Sequence, residues 1–207
     1  KSVINQTYKN YEIIVVDDGS KDNTIKIVKK YPNKIFFDKK KILNSRKLGL
    51  EKSSGEIIIF LSCDQVLAPN LFERTVKEFN DKEIDMIVNE EGSYNPKTII
   101  EKMTNLDRKI VHLRRELHPS KSVLLPSTFK KEILVKVFSK FNEALLENVT
   151  IHDHAIIYHE AYKISKKISY LDKAIFHEEP STSWELFHHY YTWGKRSRAV
   201  KNILPQE

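Results

Sequence analysis

The chain has 207 residues, 40% apolar and 30% charged, with 5 Gly and 7 Pro, which excludes collagen-like, low-complexity and wholly disordered classes. Lys and Arg number 35 against 28 Asp and Glu; the resulting +7 favours an anionic partner without naming one. No apolar run approaches the roughly 18 residues of a membrane span, and a single cysteine, Cys63, leaves no internal disulfide framework and points to a reducing compartment, the cytoplasm.

In chain order, residues 11–17 form a β-branched run that ends in Asp17-Asp18-Gly19-Ser20. A continuous apolar strand of this kind reads as buried on both faces, in a parallel sheet. Asp22 and Thr24 offer caps for a helix over 25–30, and Pro32 closes it. A short strand at 35–37 precedes a helix near 46–54, and residues 57–61 read as a second buried strand that stops at Ser62-Cys63-Asp64. Pro69-Asn70 opens a helix to about residue 79, and 84–88 reads as another strand. Strands alternating with helices at this spacing predict a doubly wound, mostly parallel α/β sheet flanked by helices.

The second half is less regular. The pattern predicts a long charged helix over 96–117, a short strand at 122–125 and helices over 129–138 and 154–164. An extended segment over 168–177 then leads to a final basic amphipathic helix over 183–202. With neither repeats nor a Gly/Ser-rich linker, the chain reads as one domain over 1–207. Residues 1–90 would form a nucleotide-binding half and 91–207 an irregular acceptor half ending in the basic helix.

In open α/β sheets, ligands bind beyond the carboxyl ends of the strands. Two strands deliver acids there: Asp17 and Asp18 from one, Asp64 from the other. Carboxylates repel phosphate but accept hydrogen bonds from a base or ribose, or hold a divalent ion that bridges phosphates. The pattern therefore points to a nucleotide gripped through base and sugar, its diphosphate reached through Mg²⁺ or Mn²⁺. Neither the P-loop nor the dinucleotide glycine signature is present. The +7 charge comes with no nucleic-acid recognition motif, and the acids of the crevice count against such a partner.

Residues 2–24, containing Gln6-Thr7-Tyr8, Glu12 and Asp17-Asp18-Gly19-Ser20, resemble the opening of a family 2 glycosyltransferase of the GT-A fold. Residues 44–64, from Asn44-Ser45-Arg46 to Asp64, resemble that family's next block, which ends in an Asp-x-Asp motif. The resemblance implies inverting transfer of a sugar from a UDP-, GDP- or dTDP-sugar to a glycan or lipid-linked acceptor, with a divalent metal. It implies that Asp17, Asp18, Arg46 and Ser62 bind the nucleotide and that Asp64 holds the metal, with His177 beside it. Ser62 stands where the motif has its first acid. The family also begins with a further strand and most of a helix ahead of Ser2. Without them residues 11–17 would leave buried backbone groups unpaired, so about 20–30 more residues are expected there.

For the general base, the family places an acid in a Glu-Asp pair after a Phe-(Asp/Asn)-Glu segment. Here Phe141-Asn142-Glu143 is followed by His152-Asp153-His154, which makes Asp153 the candidate, with His152 in place of Glu. His152, His154 and His159 fit no zinc-ligand spacing. Trp184, Phe187, Tyr190, Tyr191 and Trp193, three to four residues apart, are expected to face a core. The alternative is an acceptor wall or an interfacial face, with the basic tail making peripheral contact with a membrane. Ser62 and His152 also keep open a catalytically weakened module that only binds nucleotide or glycan.

Overall fold

The structure, a computed structural model, describes residues 1–121 and 123–201, with side chains of the last helix through Lys195. The first half contains β1 (Ile14–Asp17), α1 (Thr24–Val28), β2 (Lys34–Phe37), α2 (Ile42–Lys52), β3 (Ile57–Ile59), β4 (Gln65–Leu67) and α3 (Leu71–Asp81). The second contains β5 (Met86–Ser93), α4 (Ile99–Leu113), β6 (Thr128–Lys130), α5 (Lys131–Phe138), α6 (Glu143–Asn148), α7 (Asp153–Ile164), β7 (Ile168–His177) and α8 (Ser183–Lys201). The α/β class predicted from the sequence holds.

Among the described residues the strands form two hydrogen-bonded sheets. β1 and β2 pair in parallel, and a second sheet runs in the order β3-β6-β5-β7-β4. Of its contacts only β5/β7 is parallel, while β3/β6, β5/β6 and β4/β7 are antiparallel. The sheet is thus mixed rather than mostly parallel. The three-residue strands β4 and β6 are reached through loops, and an antiparallel neighbour needs no crossover helix. The strand expected at 122–125 is not formed over residues 123–125; the strand lies at Thr128–Lys130, where Thr128 and Phe129 are buried and pair with both β3 and β5.

Adjacent residues of β5 feed opposite faces of the larger sheet, as strand geometry requires. Met86 joins a core built from α2, α5, α6 and α7, with Leu43, Phe129, Leu134, Ile157 and Tyr158 at its centre. Ile87 joins a second core of α3, β4 and β7 around Leu71, Ala174 and Ile175.

The N-terminal turn is held to this second core by Gln6, which is fully buried. Its amide nitrogen donates to the Ala68 carbonyl at 2.8 Å, and its amide oxygen accepts from Phe72 N at 3.0 Å. A buried backbone group left without such a partner is costly, so one side chain both anchors the turn and caps the start of α3.

Glu12 performs a similar task at the start of β1. Its carboxylate accepts from Ser54 N at 2.6 Å, Ser54 Oγ at 2.7 Å and Gly55 N at 3.2 Å, and pairs with Lys34 at 2.8 Å. The Lys34 ammonium and then the Ser54 donors pull its pKa from the ordinary 4.5 to about 2. A group whose folded pKa is depressed adds stability above its unfolded value and loses it as pH falls through the folded one. Glu12→Gln is therefore expected to lower the melting temperature at neutral pH, with the gap to the parent closing between about pH 4.5 and pH 2. A gap unchanged across that window in a pH series of thermal melts would contradict the assignment.

Candidate active site

Asp17 ends β1 with its side chain turned inward and buried. Its Oδ2 accepts from Gly19 N at 3.0 Å and Ser20 N at 3.1 Å, and the Ser20 side chain first, then these backbone donors, hold its pKa below the usual carboxylate range against the opposing effect of burial. Gly19 adopts φ +105°, a conformation that side-chain-bearing residues rarely take, so this tight turn needs glycine. Asp17 builds the turn, and Asp18 is the exposed acid that the turn presents.

Arg46 lies on α2, which packs on β1 with Gly49 facing Val16. The guanidinium stacks over Phe60 at 4.7 Å just past β3, and forms an ion pair through Nε with Asp153. Asp153 is the first residue of α7, presented by His152 in a left-handed conformation with φ 63°. Both members of the pair are nearly shut off from solvent, with side chains 11% and 8% exposed. Arg46 Nη2 also meets His154 Nε2 at 2.6 Å. Burial, aided by the Arg46 charge, pushes the His154 pKa down to about 4, so this imidazole is neutral at physiological pH and accepts from the guanidinium.

Asp64 lies just before β4, and His177 is the last residue of β7; the antiparallel register places Gln65 opposite His177. Asp64 Oδ2 and His177 Nδ1 are 3.4 Å apart, while His177 Nε2 meets Glu91 Oε2 of β5 at 3.1 Å. Glu91 is held in turn by Arg108 of α4 at 3.2 Å, and Arg108 Nε donates to Glu179 at 2.5 Å. Burial alone would lower the His177 pKa; hydrogen bonds to Asp64 and Glu91 outweigh it and carry the value up to about 9. The Asp64 pKa is lowered, chiefly by its bond with His177. Ser62 is exposed, and its backbone N–H is taken by the Gln65 side chain at 2.9 Å.

Four residues singled out from distant parts of the sequence thus meet in two pairs, Arg46 with Asp153 and Asp64 with His177. The expectation that Asp17 and Asp64 end strands of one sheet is corrected: β1 and β3 belong to different hydrogen-bonded sheets. Their connection runs instead through α2, whose Arg46 bridges to Phe60 and α7. The aromatic positions of α8 do not form a core either. Trp184, Phe187, Tyr190, Tyr191 and Trp193 are all exposed, Phe187 stacks with Trp184 at 5.8 Å and Tyr191 at 6.1 Å, and Trp193 lies against His152 at 5.2 Å. A helix with aromatic rings spread over so wide an arc cannot bury them all, and among the described residues α8 packs little against the sheet. Of the basic tail, only Lys195 lies within the described side chains.

Sequence reading missed Glu91, Arg108, Glu179 and His154. Glu91 was hidden because Asn89-Glu90-Glu91 is polar and reads as loop, although β5 continues to Ser93. Among the described residues no group of three or more His, Cys, Asp or Glu side chains is arranged to hold a metal ion. Asp64 and His177 Nδ1 nevertheless face one another at 3.4 Å, a separation that two ligands of one small cation can have. A divalent ion completed by phosphate oxygens would suit Asp64, and would enlist His177 only by displacing the proton that its bonds to Asp64 and Glu91 retain.

Comparison with known proteins bears on the family and the fold. Residues 1–138 match the family model described as glycosyl transferase family 2. Relatives include the poly(ribitol-phosphate) beta-N-acetylglucosaminyltransferase TarP of Staphylococcus aureus, 32% identical over 154 residues that cover 68% of this chain and 46% of TarP. An uncharacterized glycosyltransferase of Rickettsia felis is 32% identical over 161 residues, 70% of this chain and 26% of its own length. The chain thus spans less than half of either relative. Among solved structures, S. aureus TarS 1-349 in complex with UDP-GlcNAc superposes with a TM-score of 0.66 at 17% identity, covering 100% of this chain and 62% of that one; it shares the GT-A fold. On the match of its first 138 residues, two thirds of its length, the chain belongs to glycosyl transferase family 2.

Proposed function

We propose that this domain, read as one unit over 1–207, transfers a sugar from a nucleotide-sugar donor to a hydroxyl of a glycan or lipid-linked acceptor, with inversion at the anomeric carbon. The observation that carries the reading is the meeting of Arg46 with Asp153 and of Asp64 with His177, which joins the nucleotide half to the acceptor half. TarS binds UDP-GlcNAc and TarP is a beta-N-acetylglucosaminyltransferase, so UDP-GlcNAc is the first donor to test, ahead of GDP- and dTDP-sugars.

In this reading Asp18, presented by the Asp17 turn, accepts hydrogen bonds from base or ribose, and Ser62 adds a contact in place of the motif's first acid. Asp64 and His177 would hold Mg²⁺ or Mn²⁺, whose charge would stabilise the departing nucleoside diphosphate. Asp153 takes the proton of the attacking acceptor hydroxyl. A carboxylate locked to a guanidinium is a weak base. An anionic diphosphate competing for Arg46 frees Asp153 as the donor arrives, coupling donor binding to readiness for acceptor. The exposed rings of α8, with Trp193 beside His152, supply an acceptor wall.

Ser62 and the engaged state of Asp153 also favour a second reading, a binding module with reduced turnover. Thermal shift addresses nucleotide binding, because a ligand selective for the folded state stabilises it, by about 2.7 kcal/mol at a hundred times Kd. UDP and UDP-GlcNAc with Mn²⁺ are expected to raise the melting temperature more than either does without the ion. Silence from UDP, GDP and dTDP alike would remove both readings; binding without donor turnover would select the module.

A further inference from the structure

Helix α4 is built inside out. Its 15 residues turn a mostly polar face toward β5 and β7, where apolar contact would be usual. Asn105 Oδ1 accepts from Ser93 N at 3.1 Å, Arg108 pairs with Glu91 and Glu179, and His112 Nε2 accepts from Glu91 N at 3.1 Å while Tyr170 bonds its Nδ1 at 2.8 Å. The opposite face carries Ile99, Met103, Leu106, Ile110 and Leu113, spaced as one stripe on a 3.6-residue helix. These five side chains are between 48% and 79% exposed. Tyr94, just ahead of the helix, is exposed as well.

A stripe of this length runs about 20 Å along the helix axis, and an unpartnered apolar patch of this kind marks an interaction surface. Charge around the stripe selects the partner. Lys102 and Lys109 line one rim, Arg114 and the single acid Asp107 line the other, and Lys97 stands at the start; all five are exposed. The whole chain carries +7. Apolar residues on one side with long cationic side chains at the rims are the composition of a helix lying in a lipid interface, where lysines reach back to the headgroups. An isologous antiparallel pair of copies would set the Lys102–Lys109 rim against itself, like charge facing like charge. No described helix is long and apolar enough to cross a membrane.

We propose that α4 docks this domain flat on an anionic lipid surface, its apolar stripe at the acyl boundary and its lysines at the headgroups. The inference is independent of the catalytic reading, because it rests on the outward face of α4. Arg108 on the inward face is one bond from Glu91 and two from His177, so docking would place the lipid plane against the back of the site.

The test is co-sedimentation of the full 207-residue chain with phosphatidylcholine vesicles with and without phosphatidylglycerol. Binding is expected to require phosphatidylglycerol and to weaken with salt. Leu106→Asp with Ile110→Asp should reduce it at least about tenfold, while circular dichroism and melting temperature stay near the parent values. Lys102→Glu with Lys109→Glu, which leaves the stripe intact, should remove the dependence on the anionic lipid. Trp184→Ser with Phe187→Ser on α8 should leave binding in place. The proposal is overturned if the chain ignores anionic vesicles, if only the α8 pair abolishes binding, or if the α4 pair instead dissolves a dimer seen by light scattering.

Discussion

Asp153→Asn is expected to fold and bind nucleotide like the parent while losing sugar transfer by roughly 10²–10⁴-fold, the usual worth of a positioned general base. Asparagine keeps the size of the side chain and an oxygen for Arg46 Nε, so the junction between α2 and α7 survives; what it loses is the capacity to accept a proton. Donor hydrolysis and transfer rates, read beside a nucleotide thermal shift, separate these roles. Transfer within about threefold of the parent would remove Asp153 from the chemistry and leave it a purely structural partner of Arg46. A loss of nucleotide binding in step with turnover would likewise argue that Asp153 merely holds Arg46 in place for the donor.

Arg46→Met carries the largest expected cost in stability. With Asp153 nearly fully covered, removing the guanidinium leaves a buried carboxylate uncompensated, and breaking one side of such a pair costs about 3–5 kcal/mol. Part of this loss is lost stacking on Phe60 and the lost donor to His154. Combining Arg46→Met with Asp153→Asn should recover much of the cost, because no unpaired charge remains. Urea denaturation of the four proteins forms a double-mutant cycle that isolates the pairwise part. A single-variant cost below about 1 kcal/mol would mean that water reaches Asp153 freely and that the pair does not fasten the two halves.

The contrast between these substitutions shows what was legible in the sequence. Residue types at strand ends singled out Asp17, Asp18 and Asp64 as candidates, and only the resemblance to the family's Phe-(Asp/Asn)-Glu segment singled out Asp153. The extended segment 168–177 was read to the residue as β7, since a run of Ile, Tyr, Leu and Phe favours strand on its own. Pairing was not legible: Arg46 and Asp153 are 107 positions apart, and nothing local links them. β4 and α6 were missed for a similar reason. Three residues held by antiparallel pairing with β7, or six capped by Asn142, carry too little periodicity to register. α4 was found by its period, yet periodicity tells only that a helix has two faces and is silent on which one turns inward. The same ambiguity explains why the rings of α8 read as core and are exposed.

The position of β7 in the larger sheet has a consequence for how the molecule comes into being. It is the last strand among the described residues, yet it lies between β5 and β4 and supplies the only strand neighbour that β4 has among them. Asp64 must therefore wait for a residue 113 positions downstream before its partner exists. On a ribosome adding about 5–20 residues each second, that is a delay of roughly 6–23 seconds during which β4 lies unpaired. The Asp64–His177 contact is thus completed late, when β7 is made and slots between two strands that precede it in the chain.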